Sequence, residues 1–528
     1  MQKELQNKWA LSSFYILLFF ITVSIASIAK QLLMHYHGIG GGTSVFIISL
    51  VITVAISFLS SRKVSAWVIL PILLIGTSLL QASIYPDQSW DGLAYHQKAA
   101  WYLMHGGNLL FDGDAGNFWI ALYPKSTWYF AGEAGLQFGS LAYGSGYQLM
   151  IGFAAYAYII YFFGKNGYSL VAAHIFAALS LLSPIFIAQS FSYYVDATMG
   201  FLALLMMLSS LEYGNTRRYF DASVLVMASV IIVNIKFSGF LYVGVCFLVL
   251  GLRSLPKVKE TVTVCVIFIA FLIAGVGVIG ANPYVKNIVT GKHIFYPLFG
   301  EEKKDIITFA QPPAFHEMNR FEKLATSTLS QSENINEASR KNPQLKIPGT
   351  INAQEISQLS FEDLRIAGFG PLYSLALLMA LCFIIYRRGI DRNCLILIGM
   401  IVLSTILNPE AWWARYAPHL YTILLLPLMS VRRGDQEEWG RVFIGAIIGV
   451  VVVNALMMSK ARYETSNSFG AGLNWISGSC KDKTLHLSPF NTFLIEPMAQ
   501  RGGGKYVIDD KPSGDAKDYR RKFYYWCE

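Results

Sequence analysis

The chain has 528 residues, 54% hydrophobic and only 14% charged, with a formal net charge of +9 and a mean hydropathy of +0.44. A soluble globular domain carries about 25% charged residues, so the composition excludes that class and predicts an all-α polytopic membrane protein. The positive charge is scattered over many short loops rather than gathered in one patch, which fits orientation in a lipid bilayer and excludes nucleic acid as a partner.

The N-terminus, Met1 to Lys8, is short and charged. The apolar run behind it lacks a small-residue cleavage site, so an uncleaved first helix is expected. Apolar stretches long enough to cross a bilayer, or short enough to need cover from neighbours, predict about thirteen transmembrane helices. They fall near 10–29, 44–60, 66–83, 146–163, 169–188, 195–212, 220–235, 237–252, 261–281, 368–386, 393–408, 416–431 and 441–458. Asn234 and Lys236 interrupt the seventh and eighth, which predicts a tight hairpin there.

Arg62 and Lys63, Lys165, Arg217 and Arg218, Arg253 with Lys257 and Lys259, Arg387 with Arg388 and Arg392, and Arg432 with Arg433 and Arg441 all fall in short loops on one side. The positive-inside rule makes that side cytoplasmic, together with the N-terminus. Residues 84–145, the 189–194 turn, residues 282–367, the 409–415 turn and the tail from about 459 are then extracytoplasmic. The expected organisation is a membrane domain over 1–458 with outer loops 84–145 and 282–367, and a small C-terminal extracytoplasmic extension over 459–528. A bacterial inner membrane with a periplasmic C-terminus suits this pattern.

Cys246, Cys265, Cys382 and Cys394 lie in or beside apolar stretches and read as small buried hydrophobes. Cys480 and Cys527 lie in the polar tail; on an oxidising face they are expected to pair, closing a loop of about 46 residues worth about 3 to 4 kcal/mol. On a cytoplasmic face they would be free thiols. The tail also carries strand-like runs at Tyr506-Val507-Ile508 and Phe523-Tyr524-Tyr525-Trp526, and a turn at Arg501-Gly502-Gly503-Gly504.

The first large outer loop opens with Ser89-Trp90-Asp91-Gly92-Leu93-Ala94-Tyr95-His96-Gln97-Lys98. Its pattern predicts a short juxtamembrane amphipathic helix, capped by Ser89 or Asp91, with Tyr95, Ala99, Tyr102 and Leu103 on one face and Gly106-Gly107 as its stop. An acid at such an N-terminus stays ionised and can take a proton or hold a cation, or it can simply cap. Further polar groups gather on the same side: Tyr123-Pro124-Lys125-Ser126, Tyr193-Tyr194-Val195-Asp196, Lys236-Phe237-Ser238-Gly239, Asn282-Pro283-Tyr284-Val285-Lys286-Asn287, Gly291-Lys292-His293, Tyr296-Pro297-Leu298 and Trp412-Trp413-Ala414-Arg415-Tyr416. Ionisable residues at the bilayer edge are costly and point to function. Asp196 and Lys236 fit that description or pair with each other; Arg415 either clamps a phosphate bidentately or snorkels in an aromatic belt. No HxxxH or CxxC spacing occurs.

The order of these motifs resembles the GT-C superfamily of integral membrane glycosyltransferases across most of residues 84–420: Trp-Asp-x-x-x-Tyr-His, Tyr-Pro-Lys, Tyr-x-Asp, Lys-Phe-x-Gly, Asn-Pro-x-x-x-Lys-Asn with Gly-x-x-x-x-Tyr-Pro, and a late Arg-Tyr. The resemblance implies inverting transfer of a sugar from a polyprenyl-phosphate carrier of the undecaprenyl type to a glycan, lipid or protein acceptor on the outer face. It makes Asp91 the general base and Asp196 the second acid. It makes Arg415, Lys236, Lys286 and Lys125 the cations of the donor phosphate, with Tyr95, His96, Tyr123, Tyr194, His293 and Trp412 around the substrate. Gly92, not a second acid, follows Asp91. Two separated carboxylates are compatible both with a divalent ion (Mg, Mn or Zn) held by Asp91 and Asp196 and with none. Two alternatives carry different expectations: a lipid-linked polysaccharide polymerase or ligase centred on His316 and Arg320, and a transporter or flippase of lipid-linked sugars.

Overall fold

The computed structural model describes residues 2–38, 44–61, 69–85, 87–111, 117–255, 257–305, 308–334, 341–387, 391–431, 438–481, 483–487, 505–508, 517–519 and 523–528. The predicted Arg501–Gly504 turn and the basic residues Arg62, Lys63, Arg388, Arg432 and Arg433 lie outside these.

Helices α1 (Gln2–His37), α2 (Val45–Ser61) and α3 (Ile69–Ala82) lead to the first long loop. There α4 (Gln97–Met104), α5 (Phe118–Leu122) and α6 (Ser126–Phe138) form a layer of shorter helices. The bundle continues with α7 (Tyr147–Lys165), α8 (Leu170–Leu181), the short α9 (Pro184–Gln189), α10 (Asp196–Thr216), α11 (Tyr219–Val233), α12 (Gly239–Ser254) and α13 (Val258–Leu272). The second long loop holds α14 (Lys286–Val289), α15 (Arg320–Leu329) and α16 (Ala353–Gln358), before α17 (Tyr373–Tyr386), α18 (Arg392–Leu407), a 3-10 helix over Pro418–Ser430 and α19 (Glu438–Ser479).

Among the described residues, five helical stretches are long and apolar enough to cross a membrane: Asn7–His37, Leu141–Lys165, Asp196–Thr216, Val258–Ile279 and Trp439–Ser468. Shorter apolar helices occupy Val45–Phe58, Ile69–Ala82, Leu170–Leu181, Tyr219–Val233, Gly239–Ser254, Tyr373–Tyr386, Arg392–Leu407 and Pro418–Ser430. Each predicted apolar stretch falls on one of these, and the protein is a helical integral membrane protein. Helices α11 and α12 form the expected hairpin, closed by Lys236 N–H to Ile232 O at 3.3 Å and Gly239 N–H to Lys236 O at 2.9 Å.

Helix α10 is the hub. It packs against α7, α11, α12 and the 418–430 segment, and its side chains Asp196, Met199, Leu202, Leu205 and Leu208 are all buried. Gly200 permits one close approach, because a Cβ there would lie 2.9 Å from Pro418 Cβ. The outermost helices behave oppositely: Val262, Val266, Ile269 and Ile273 around α13, and Ile47, Val51 and Phe58 on α2, expose their apolar side chains. In a membrane protein such a face meets lipid.

Two features refine the expected architecture. A small sheet joins the helices: β1 (Leu485–Leu487), β2 (Tyr506–Ile508), β3 (Lys517–Tyr519) and β4 (Phe523–Cys527) pair in the order β2-β1-β4-β3. In it β1 and β2 are parallel, and β4 is antiparallel to both β1 and β3. The predicted boundary at 458 falls inside α19, since the helix outlasts its apolar stretch by two polar turns and more. Cys480, just past its end, is disulfide-bonded to Cys527 of β4, so the helix and the sheet are tied together.

Candidate active site

The first long loop turns into helix at Trp90, and a π-helical turn over Gly92–His96 precedes α4. Such a turn widens the spiral by one residue and often marks a functional position. Ser89 caps this helix: its Oγ accepts the Gly92 N–H at 3.2 Å. Asp91 has helical φ and ψ of −65° and −34° and makes no capping bond, because its carboxylate is drawn across to Arg415. The helix stops at Gly106, with φ +82°, as expected of its glycine pair.

Arg415 sits on a 3-10 turn, Ala414–Tyr416, and joins three acids from distant parts of the sequence. Its Nη1 donates to Asp91 Oδ2 at 3.0 Å and to Asp196 Oδ2 at 3.4 Å. Its Nε lies 2.9 Å from Asp363 Oδ1 but is not aligned for a hydrogen bond, so that contact is ionic. Lys236 Nζ donates to Asp196 Oδ1 at 2.6 Å and sits 4.1 Å from the centre of the Tyr416 ring. The Arg415 guanidinium faces the rings of Tyr194 at 4.7 Å, Tyr416 at 5.0 Å and Trp413 at 5.2 Å. Asp363 is held by Arg365 Nη2 at 2.9 Å and by Trp413 Nε1 at 3.0 Å.

Three carboxylates thus meet three cations, and burying any one unpaired would be costly. Their exposure differs in a way that assigns roles. Asp91, Lys236 and Asp363 keep 20%, 19% and 18% of their side-chain surface, whereas Asp196 keeps 2%. Asp91 and Asp363 are the reachable acids, Asp363 being held by Arg365 and Trp413, and Asp196 is the buried anchor. Burial raises the proton affinity of Asp91; Arg415 opposes this, Asp363 and Asp196 add to it, and the balance lies above the usual carboxylate range. A carboxylate shifted that way is a better base near neutral pH.

The other predicted residues spread outward from this cluster. Tyr95 and Tyr123 form an aromatic wall with Trp119 and Trp128, with Tyr95 centred 5.9 Å from Tyr123 and 6.4 Å from Trp119. His96 lies behind that wall, where its Nδ1 accepts the Trp128 indole N–H at 2.7 Å. Burial pulls its imidazole down to about 3, so it is neutral at physiological pH. Lys125 is committed to Tyr123 O and Asn282 Oδ1, both at 2.9 Å. Burial first, then Lys286, holds its ammonium well below the usual lysine range. Lys286 is half-buried at the start of α14. His293 is exposed and its Nδ1 accepts the Phe295 N–H. Trp412 is buried, donates to Glu410 Oε2 at 2.6 Å and stacks edge-on with Phe315. The contacts of Lys125, Lys286, His293 and Trp412 described above are not to the carboxylates that Arg415 gathers; Trp412 packs on Trp413 at 5.3 Å, and it is Trp413 that donates to Asp363.

Asp363 and Arg365 are the site residues that sequence reasoning missed. Both end the long 282–367 loop immediately before an apolar stretch, the same context that singled out Asp196 and Arg415, and that context was the available signal.

Asp91 and Asp196, the two acids considered for a divalent ion, share one guanidinium nitrogen of Arg415. Among the described residues no group of three or more His, Cys, Asp or Glu side chains converges as a ligand set. No protein-family model matches the chain, and no curated protein sequence matches it.

Proposed function

We propose that the protein is an inverting glycosyltransferase of the GT-C type, moving a sugar from a polyprenyl-phosphate donor to an acceptor hydroxyl on the outer face of a bacterial inner membrane. In this reading thirteen helices cross the bilayer, the N-terminus is cytoplasmic and the C-terminal sheet is periplasmic, where its disulfide is stable. The observation that carries the proposal is a partly exposed carboxylate, Asp91, and a partly exposed cation, Lys236, joined through one buried acid, Asp196, which Lys236 meets directly and Asp91 meets through Arg415.

The acceptor oxygen attacks the anomeric carbon as its proton passes to Asp91, and the bond from that carbon to the phosphate oxygen breaks. The products are the new glycoside and polyprenyl phosphate. Lys236 neutralises the charge growing on the leaving phosphate. Arg415, with 8% of its side chain exposed, holds Asp91 and Asp196 in register, and the phenol and indole faces of Tyr95, Tyr123 and Trp119 flank the sugar. No step requires a metal.

The alternatives have less support. His316 and Arg320 are exposed, and Arg320 Nη1 donates to the Ile406 carbonyl rather than to a cluster of ionisable groups. A flippase needs charges along a path, whereas α10 between Phe201 and Leu208 is apolar and buried.

The test is transfer from radiolabelled undecaprenyl-phosphate glucose, mannose and arabinose by the full chain in membranes. Asp91→Asn should lower turnover by about 10²- to 10⁴-fold with donor binding retained. Normal transfer by the variant would remove Asp91 from the mechanism.

A further inference from the structure

Asp87 has no part in the chemistry above, yet it is 3% exposed and fully engaged. Its Oδ1 accepts the Ser89 N–H at 2.8 Å. Its Oδ2 accepts the Tyr193 N–H at 3.0 Å and the Gln97 side-chain amide at 3.2 Å, and Gln97 donates to the Asp87 carbonyl as well, at 3.1 Å. One carboxylate therefore gathers donors from the segment that carries Asp91 and from the turn that ends at Asp196. The room for it is made by Gly92, where a Cβ would fall 1.7 Å from Asp87 Oδ2. Any side chain after Asp91 would expel the carboxylate.

The turn it grips leads directly to the anchor. Gln148 Nε2 donates to the carbonyls of Gln189 at 2.8 Å and Ser192 at 2.5 Å, and the Tyr147 hydroxyl donates to Tyr193 O at 3.0 Å. Gln189 Nε2 in turn reaches Asp196 Oδ2 and Glu362 O, both at 3.3 Å, and its Oε1 accepts the Ala197 N–H at 3.1 Å. A shift of the 189–194 backbone is thereby passed to Asp196.

We propose that Asp87 is a positioning residue: it clamps the 189–196 turn to the start of the outer helix and so sets Asp91 in register with Asp196, with Gly92 as the gap that admits it. The catalytic part of this statement rests on the transferase reading; the clamp itself does not. Exchanging Asp87 for Asn would turn one acceptor oxygen into a donor amide facing other N–H groups, and unmatched buried donors push apart.

Protonation has a related effect. Burial lifts the Asp87 carboxyl to about 7, against the pull of Ser89 and Tyr193 and with a small push from Glu362. The groups facing it are Ser89, Gln97 and Tyr193 as donors and Glu362 as a charge. Below that pH the carboxyl carries a proton and loses acceptor capacity, so turnover should rise with pH through about 7. Stability runs the other way. The unfolded carboxyl titrates near 3.8, so between about 4 and 7 the folded chain holds a proton that the unfolded chain releases, and this group's contribution falls as pH rises.

The experiment compares the intact chain with Asp87→Asn and Gly92→Ala in two assays. Hydrogen exchange over 87–98 and 189–196 does not depend on turnover, and both segments should lose protection together in each variant. In the labelled undecaprenyl-phosphate-sugar assay kcat should fall by about 10²-fold, with the donor KM little changed and the rise through pH 7 weakened in Asp87→Asn. Unchanged protection of the 189–196 segment overturns the clamp, whatever the turnover. Lost protection with normal kcat leaves the clamp and overturns its role in positioning. An intact chain that transfers none of the sugars overturns the transferase reading, while exchange still decides the clamp. If Asp87→Asn does not fold, Gln97→Met keeps the charge and removes one donor; unaltered protection in that variant also overturns the proposal.

Discussion

Helix α10 carries an acid near each end, and the two are treated in opposite ways. Asp196 begins the helix and pairs with two cations, Lys236 and Arg415. Glu212, sixteen residues and about 24 Å further along, is 1% exposed and accepts an amide N–H of Asn166 at 2.8 Å. Nearby Asp221 accepts the Tyr158 hydroxyl at 2.7 Å and the Thr216 hydroxyl at 3.3 Å. The group at the start of the helix is an ionic cluster with three members open to solvent, whereas the one at its end is hydrogen-bonded by neutral donors, with the charges of Arg218 and Lys165 acting on it. Burial of an acid therefore does not distinguish the two ends of this helix; partly exposed charge around it does.

The strongest way to break this contrast is Arg415→Leu, which leaves Asp91, Asp196 and Asp363 without their shared cation. Breaking a buried pair costs about 3 to 5 kcal/mol, less where Asp91 and Asp363 reach water, so thermal unfolding in detergent should come at markedly lower temperature and transfer should vanish. Asp196→Asn is expected next: with the anchor gone, Lys236 and Asp91 shift and kcat falls by about 10²-fold, read in the same transfer assay. Lys236→Gln should act mainly on the donor. A lost charged hydrogen bond of about 1.5 to 3 kcal/mol raises KM roughly tenfold or more, with kcat less affected, and direct donor binding checks it. Glu212→Gln is the control at the end of the helix, where an isosteric amide should leave turnover unchanged and cost less than about 1 kcal/mol. Loss of transfer there would make the acids at that end functional and dissolve the contrast. The smallest effect is expected from Cys480→Ser, which frees the terminal sheet but touches none of the charged cluster; its transfer rate should match the intact chain.

Much of the framework was legible because it depends on local composition. Apolar runs fix where helices lie, and Asn234 and Lys236 fix where the α11–α12 hairpin turns. The short strands at Tyr506 and Phe523 were readable from their β-branched and aromatic residues. The capping of the outer helix was only half legible: Ser89 and Asp91 are both good caps by residue type, and the choice between them was made by a guanidinium more than three hundred residues away. Lys125 illustrates the same limit. A lysine beside Tyr-Pro in an outer loop reads as a phosphate ligand, yet the fold brings carbonyl oxygens to it and closes it off.

The sequence alone determined that the chain is a membrane protein, roughly where its apolar helices lie, and that Asp91, Asp196, Lys236 and Arg415 were candidates, since an ionisable residue at a bilayer edge is expensive wherever it stands. Tertiary structure decided the rest. It brought those four together, added Asp363 and Arg365, moved Lys125, His96 and Trp412 into supporting packing, and set Asp87 between the two segments that carry the acids. Hydropathy is a sum over neighbours in sequence, whereas an ion pair or a shared carboxylate is set by neighbours in space, and only the folded chain defines those.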